Sequence, residues 1–200
     1  MEFYRAKQYI INLLHTDLDS RLIYHDLEHT LNVYNAAIEY LRLEKIDDYS
    51  SKLVLTAALF HDSGMLFDYD NHEFESEELC RRELPKFAYS YEDVEIITQM
   101  IRKTHLLESA DTILEQILCD SDLDYLGRDT FFIRSTKLLH EWKIMGKHNY
   151  RLFEWLKIQI DFLENHQYYT NSAKSLRRQT KQTNIEEIKE LYKICPDNKL

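Results

Sequence analysis

Glycine and proline are nearly absent. Three glycines and two prolines stand in a chain of 200 residues, where average usage of roughly 7% and 5% would supply about 14 and about 10. Sandwiches, barrels and propellers need frequent tight turns built from these residues, so the shortage excludes them and an all-α chain is expected. Cysteine is scarce as well. Cys80, Cys119 and Cys195 are odd in number, widely spaced and form no Cys-x-x-Cys pair, which argues against a disulfide framework or a thiolate zinc site and suits reduced thiols. No apolar run approaches the roughly 20 residues of a membrane span. The first residues, Met1-Glu2-Phe3-Tyr4-Arg5-Ala6-Lys7, lack the continuous apolar segment of a secretion signal. A cytoplasmic location with no membrane partner is the expectation. Positive charge is in deficit, 25 Lys and Arg against 35 Asp and Glu for a net charge of −10. Such a field repels polyanions, so a nucleic-acid polymer is not an expected partner.

What is present is helical periodicity. Phe3, Ala6, Ile10, Leu13 and Leu14 lie on one stripe, and Leu27, Leu31, Tyr34, Ile38 and Leu41 repeat the spacing of an amphipathic helix. Residues 53 to 60 are nearly all apolar. Ala57 and Ala58 favour helix over strand, the pattern extends back through Tyr49, and Gly64 stands where a left-handed cap is expected. Further helices are expected at about 72–84, stopped by Pro85, then at 91–103, 111–119, 129–145, 149–168 and 184–194. Thr183-Asn184-Ile185-Glu186 reads as a capping box for the last. The polar stretch 170–183 before it reads as an exposed connector or a polar helix. One domain over residues 1–148, with its core at about 20–145, is expected to carry residues 149–200 as a helical extension of the same unit. Within that extension the stripe Leu152, Trp155, Leu156, Ile160 and Leu163 offers a surface for a homodimer.

Three short segments carry candidate chemistry. In Tyr24-His25-Asp26-Leu27-Glu28-His29-Thr30, the two histidines are four apart and would share one face of a helix. A zinc protease of the His-Glu-x-x-His kind would need Glu where Asp26 stands. His61-Asp62 follows the apolar run directly; a buried polar pair there needs a partner, and a divalent cation would satisfy both. Asp120, Asp122 and Asp124 alternate, but Tyr125 and Thr130 stand near the places where a calcium loop needs Gly and Glu. Taken alone, each has an ordinary structural reading: surface histidines, a helix-end histidine, an acidic turn.

In order, His29, then His61-Asp62, then Asp122 before Leu123 make an H…HD…D series. With Tyr-His-Asp-Leu-Glu-His-Thr-Leu-Asn-Val at 24–33, Ala-Ala-Leu-Phe-His-Asp-Ser-Gly at 57–64 and Asp-Ser-Asp-Leu-Asp-Tyr-Leu-Gly at 120–127, the chain resembles the HD-domain superfamily of metal-dependent phosphohydrolases. The resemblance implies an all-α bundle with a metal held between helices. It implies His29, His61, Asp62 and Asp122 as ligands, with Asp120 the rival for the last place or else an orienting partner. Asp62 would then belong to both the ligand set and the catalytic group. The Tyr-His-x-x-x-His-Thr segment is similar to that of cyclic-nucleotide phosphodiesterases, which implies His25 as the general acid, with Asp26 in place of their Asn.

In related families a histidine at the place of His72 serves a second metal or binds substrate phosphate; Glu75, Glu77 and Glu78 near it read as a solvated helix face. Two-metal relatives carry an Ile-x-x-His-Thr setting, whereas Ile101-Arg102-Lys103-Thr104-His105 inverts the order, which favours one metal over two. Arg102, Lys103 and His105 become candidates for substrate phosphate. His15, His140, His148 and His166 fit no such group, and the aromatic residues read as core. The resemblance therefore implies a phosphohydrolase acting on a phosphomonoester or phosphodiester of a small nucleotide-like metabolite, with one Mn, Mg, Zn, Ni or Fe ion. An HD-related di-iron oxygenase and a non-catalytic HD ligand-binding module are the alternatives.

Overall fold

Most helices start at a side chain that can accept a backbone proton. In the computed structural model, which describes residues 1–105 and 109–195, Asp26 accepts from the His29 N–H at 2.8 Å and opens the helix Leu27–Leu43. Asp47 accepts from Ser50 at 3.0 Å and opens Asp48–Phe60. Reciprocal boxes, Ser90 with Asp93 and Thr112 with Glu115, open Tyr91–Arg102 and Ile113–Asp122. In chain order the helices are α1 (Phe3–Asp17), α2 (Leu27–Leu43), α3 (Asp48–Phe60), α4 (His72–Glu83), α5 (Tyr91–Arg102), α6 (Ile113–Asp122), α7 (Phe131–Ile144), α8 (Leu152–Asn165) and α9 (Asn171–Ile194). Short 3₁₀ turns lie at Ser63–Leu66, Leu84–Phe87 and Asp124–Gly127. Pro85 ends α4 as expected, since it cannot continue the hydrogen-bond ladder. No strand occurs among the described residues, and none of their helices is long and apolar enough to cross a membrane.

By contacts the chain divides into two units. The first holds Met1–Ser20 and His25–Leu123; the second holds Arg21–Tyr24 and the chain from Asp124 onward. The contact division falls after Leu123, against the boundary expected at 148.

In the first unit α3 is the central element, packed on α1, α2, α5 and α6. Its C-terminal part, residues 53–60, is apolar but for Thr56 and requires that position, because a helical stretch without a polar face must be enclosed. Val54, Ala57, Ala58 and Phe60 are fully buried, and the small alanines let neighbouring helices approach closely. Burial of each large side chain, Phe60 on α3 or Tyr40 on α2, contributes roughly 1.5–3 kcal/mol.

In the second unit α9 packs on α8 and on the 3₁₀ turn at Asp124–Gly127. Of the two readings of the polar stretch the polar helix holds, since α9 runs unbroken from Asn171, capped by Thr170; the expected start at Thr183 is corrected, because Thr183 lies inside that helix. Asn184 is buried mid-helix, where its side-chain amide donates to the Leu126 and Arg128 carbonyls at 2.9 and 3.1 Å. Asp124 is buried against Arg177 (Nε–Oδ1 2.6 Å) and also pairs with Arg128. Removing one partner of such a pair strands charge away from water. Asp124→Ala is therefore expected to destabilise the protein by roughly 3 kcal/mol, read as a shift in the urea midpoint; an unchanged midpoint would refute that role.

The expected dimer stripe is also corrected. Trp155, Leu156, Ile160 and Leu163 are buried within the chain, with only Leu152 exposed, so they are not offered to a second copy. Trp155 is fixed further by an indole hydrogen bond to Ser135 Oγ at 2.9 Å, and Ser135 donates to Gln159 at 3.0 Å.

Candidate metal centre

Three helix ends of the first unit bring the series together. His29 lies in the first turn of α2, held there by the Asp26 cap. The apolar run of α3 ends at His61, its C-terminal cap, and Asp62 follows. Asp122 is the last residue of α6. His29 Nε2 is 3.1 Å from Asp122 Oδ1 and 3.3 Å from Asp62 Oδ2; His61 Nε2 is 3.5 and 3.2 Å from the same two atoms. The two Nε2 atoms are 3.4 Å apart. His29, His61 and Asp122 each turn one ligand atom to a common point, all within 4.8 Å of one another. That group contains neither the rival Asp120, buried in α6 two residues earlier, nor Asp62, whose Oδ2 stands 3.3 and 3.2 Å from the two Nε2 atoms.

The chemistry of these groups fits a cation. His61 Nδ1 faces the Ala58 carbonyl at 2.9 Å; a carbonyl only accepts, so Nδ1 carries the proton and a neutral ring turns its Nε2 lone pair to the carboxylates. Asp62 Oδ2 is buried with no donor near it except the two imidazoles, whose Nε2 atoms stand 3.3 and 3.2 Å away. Two carboxylates and two neutral imidazoles leave a buried double negative charge, which must be offset by protons or by a divalent ion. Without the ion, the pKa directions record that demand. Burial alone would lower both histidines, yet hydrogen bonds to Asp122 and Asp62 raise His29, and the Asp62 charge, with hydrogen bonds to Asp122 and Asp62, raises His61 well above its ordinary value. Burial would raise the acids, but the His61 charge and the His29 hydrogen bond hold Asp62 far below the usual carboxylate range. Hydrogen bonds to both histidines hold Asp122 low.

The signs give a pH prediction. A raised histidine contributes stability that is complete below its unfolded value of about 6.5 and is lost as pH rises through the folded value; a lowered aspartate contributes above about 4 and loses it on acidification. The metal-free cluster is therefore most favourable between about pH 4 and 6.5, and a divalent ion must displace protons there. Apparent Mn²⁺ affinity is expected to rise up to about tenfold per pH unit per displaced proton on going from about pH 5.5 upward. Calorimetry across that range checks it; a flat affinity would contradict it.

His25 departs from the helical reading. It precedes α2 instead of sharing a face with His29, because the Asp26 cap starts the helix after it. The ring nonetheless stands beside the group, 6.1 Å between centroids from His29 and 5.8 Å from both His72 and Tyr69. His72, first residue of α4, has Nδ1 on the Tyr69 carbonyl at 3.0 Å and Nε2 3.7 Å from Asp62 Oδ1 and 3.5 Å from Glu73 Oε1. His25 and His72 are both half-buried. Tyr69 carries no motif in the sequence, and only the fold places it here.

The remaining candidates stand differently. Arg102 grips Glu77 through two bonds, Nε–Oε1 at 2.9 Å and Nη2–Oε2 at 2.5 Å. Glu77 is buried, not a member of a solvated face, because it is the counter-charge between α4 and α5. Lys103 lies 3.5 Å from Asp111. His105 is exposed beyond the end of α5, so the helical offset inferred for it does not apply. Gly64 is not a left-handed cap either: the positive-φ glycine is Gly146. Its requirement is space, since a Cβ would stand 1.9 Å from the His72 carbonyl oxygen. Gly64→Ala is expected to lower stability by about 1–3 kcal/mol, visible as a fall in Tm.

Comparison with known proteins gives a family and a fold. Residues 26–124 match the HD domain family, and the matched span contains all four ligand-type residues. The chain is an HD-domain protein. Two solved structures share the fold: Bacillus subtilis YpgQ in complex with ADP, 20% identical with a TM-score of 0.68 and 98% of each chain covered, and a predicted HD superfamily hydrolase from an uncultured Thermotogales bacterium, 19% identical with a TM-score of 0.63 and 94% of this chain and 90% of that one covered. An uncharacterized protein of Clostridium beijerinckii is 33% identical over 86 residues, 42% of this chain and 54% of the relative, so the match spans about half that protein's length.

Proposed function

We propose that this chain is a metal-dependent phosphohydrolase that cleaves a phosphoester bond of a small nucleotide-like substrate. The observation that carries the reading is the convergence of buried His29, His61 and Asp62 with half-buried Asp122, and half-buried His25 and His72 beside them. His29, His61, Asp62 and Asp122 would hold one divalent ion. Bound there, it would lower the pKa of a water molecule and polarise a phosphoryl oxygen. His61 keeps its acceptor nitrogen turned inward through the Ala58 carbonyl, and Asp62 balances charge. His25, as imidazolium, donates its proton to the departing ester oxygen, which otherwise leaves as a costly alkoxide. His72, its ring held through Nδ1 on the Tyr69 carbonyl, stands beside the group as the candidate contact for substrate phosphate. Lys103 and His105 remain candidates for the same phosphate. Arg102 would first have to release Glu77.

A nucleotide is favoured because YpgQ was captured with ADP and because a cationic site overcomes an acidic global field at short range. The test is release of phosphate or nucleotide product from a panel of mono-, di- and polyphosphate esters with Mn²⁺, Mg²⁺, Zn²⁺, Ni²⁺ or Fe²⁺. Metal-stimulated turnover is expected; none across the panel would overturn the proposal.

A further inference from the structure

The first turn of α4 is held against the segment that carries Asp62 by a contact no step of the chemistry uses. Gly64 sits in the 3₁₀ turn Ser63–Leu66, and its N–H, one of the opening donors with no partner inside that turn, donates to Ser76 Oγ at 2.7 Å. Ser76 is 0% exposed. The two backbones meet with nothing between them: a Cβ on Gly64 would lie 1.9 Å from His72 O and 2.7 Å from Ser76 N. Ser76 stands one helical turn after His72, on the same face of α4. The Tyr69 carbonyl sets the rotation of the His72 ring; the Ser76 contact sets where the turn bearing that ring lies relative to Asp62.

We infer that Ser76 is a positioning residue, whose hydroxyl, bound to the Gly64 N–H, fixes the separation between the His72 imidazole and the Asp62 carboxylate. Serine is a mediocre helix former and gains nothing from a fully buried helical position unless its hydroxyl is used. Here the hydroxyl is used on a backbone group that a glycine alone can bring so close. The effect on turnover rests on the proposed role of His72 toward substrate; the effect on the His72 ring does not.

The test is Ser76→Ala in the full chain, with Ser76→Thr keeping the hydroxyl. Long-range ¹H–¹⁵N spectra of the metal-free proteins read the His72 ring, calorimetry reads Mn²⁺ binding, and steady-state kinetics read KM and kcat. In Ser76→Ala the His72 ring resonances are expected to move and broaden while Mn²⁺ affinity stays within about threefold. KM is expected to rise about tenfold, the lower end for loss of a supporting partner, with kcat changed less. Ser76→Thr is expected to keep the wild-type His72 resonances. Unmoved resonances in Ser76→Ala, or equal displacement in both variants, would overturn the inference whatever the activity. If the wild-type protein turns over no phosphoester, the proposed function fails, and the ring spectra still decide the clamp.

Discussion

Asp62→Asn and His61→Ala are each expected to weaken divalent-ion binding by at least about 100-fold, since loss of a mere outer partner of a metal ligand already costs 10–100-fold, and to abolish metal-stimulated turnover. The two changes act on different parts of the same balance. Asp62 supplies Oδ2, which is 3.3 and 3.2 Å from the two Nε2 atoms and has no other donor near it; the amide removes half of the negative charge that calls for the ion. His61 supplies a nitrogen whose tautomer the Ala58 carbonyl already fixes, so its loss removes a pre-oriented donor. Calorimetry with Mn²⁺, beside circular dichroism to establish folding, makes the measurement. A folded Asp62→Asn variant with wild-type affinity would refute the ligand assignment.

His25→Gln is expected to lower kcat by about 10²–10⁴, the usual range for a positioned acid, while Mn²⁺ affinity changes little, because the His25 ring lies beside the ligand group without completing it. The loss should depend on the leaving group. An alkyl or ribosyl ester departs as a strong base and needs the proton; a p-nitrophenyl ester does not. Kinetics on both classes should therefore show a large defect for the first and a small one for the second. Equal defects would assign His25 a binding role and remove it as the acid.

The sequence already contains much of this site, for physical reasons that differ by residue. His61-Asp62 alone has an ordinary helix-end reading; it becomes a candidate site through the ordered H…HD…D series, and the fold then buries both groups. The all-α expectation from scarce glycine and proline agrees with the described helices. What the sequence reading missed depends on contacts between distant segments. Arg102 looks like a phosphate ligand until the fold sets Glu77 against it. Gly64 looks like a cap until α4 is laid on its missing side chain. Thr183 looks like a helix start because Thr183-Asn184-Ile185-Glu186 has the form of a capping box; here it lies inside α9, and two loop carbonyls occupy the Asn184 amide. His25 reached its neighbours by a route other than the expected helical face, since the Asp26 cap delays the helix.

The most direct measurement is anomalous diffraction from crystals grown with Mn²⁺. One strong peak is expected within coordination distance of His29 Nε2, His61 Nε2, Asp62 and Asp122 Oδ1. A peak elsewhere, no peak at saturating ion, or a pair of iron atoms in protein as purified would contradict it.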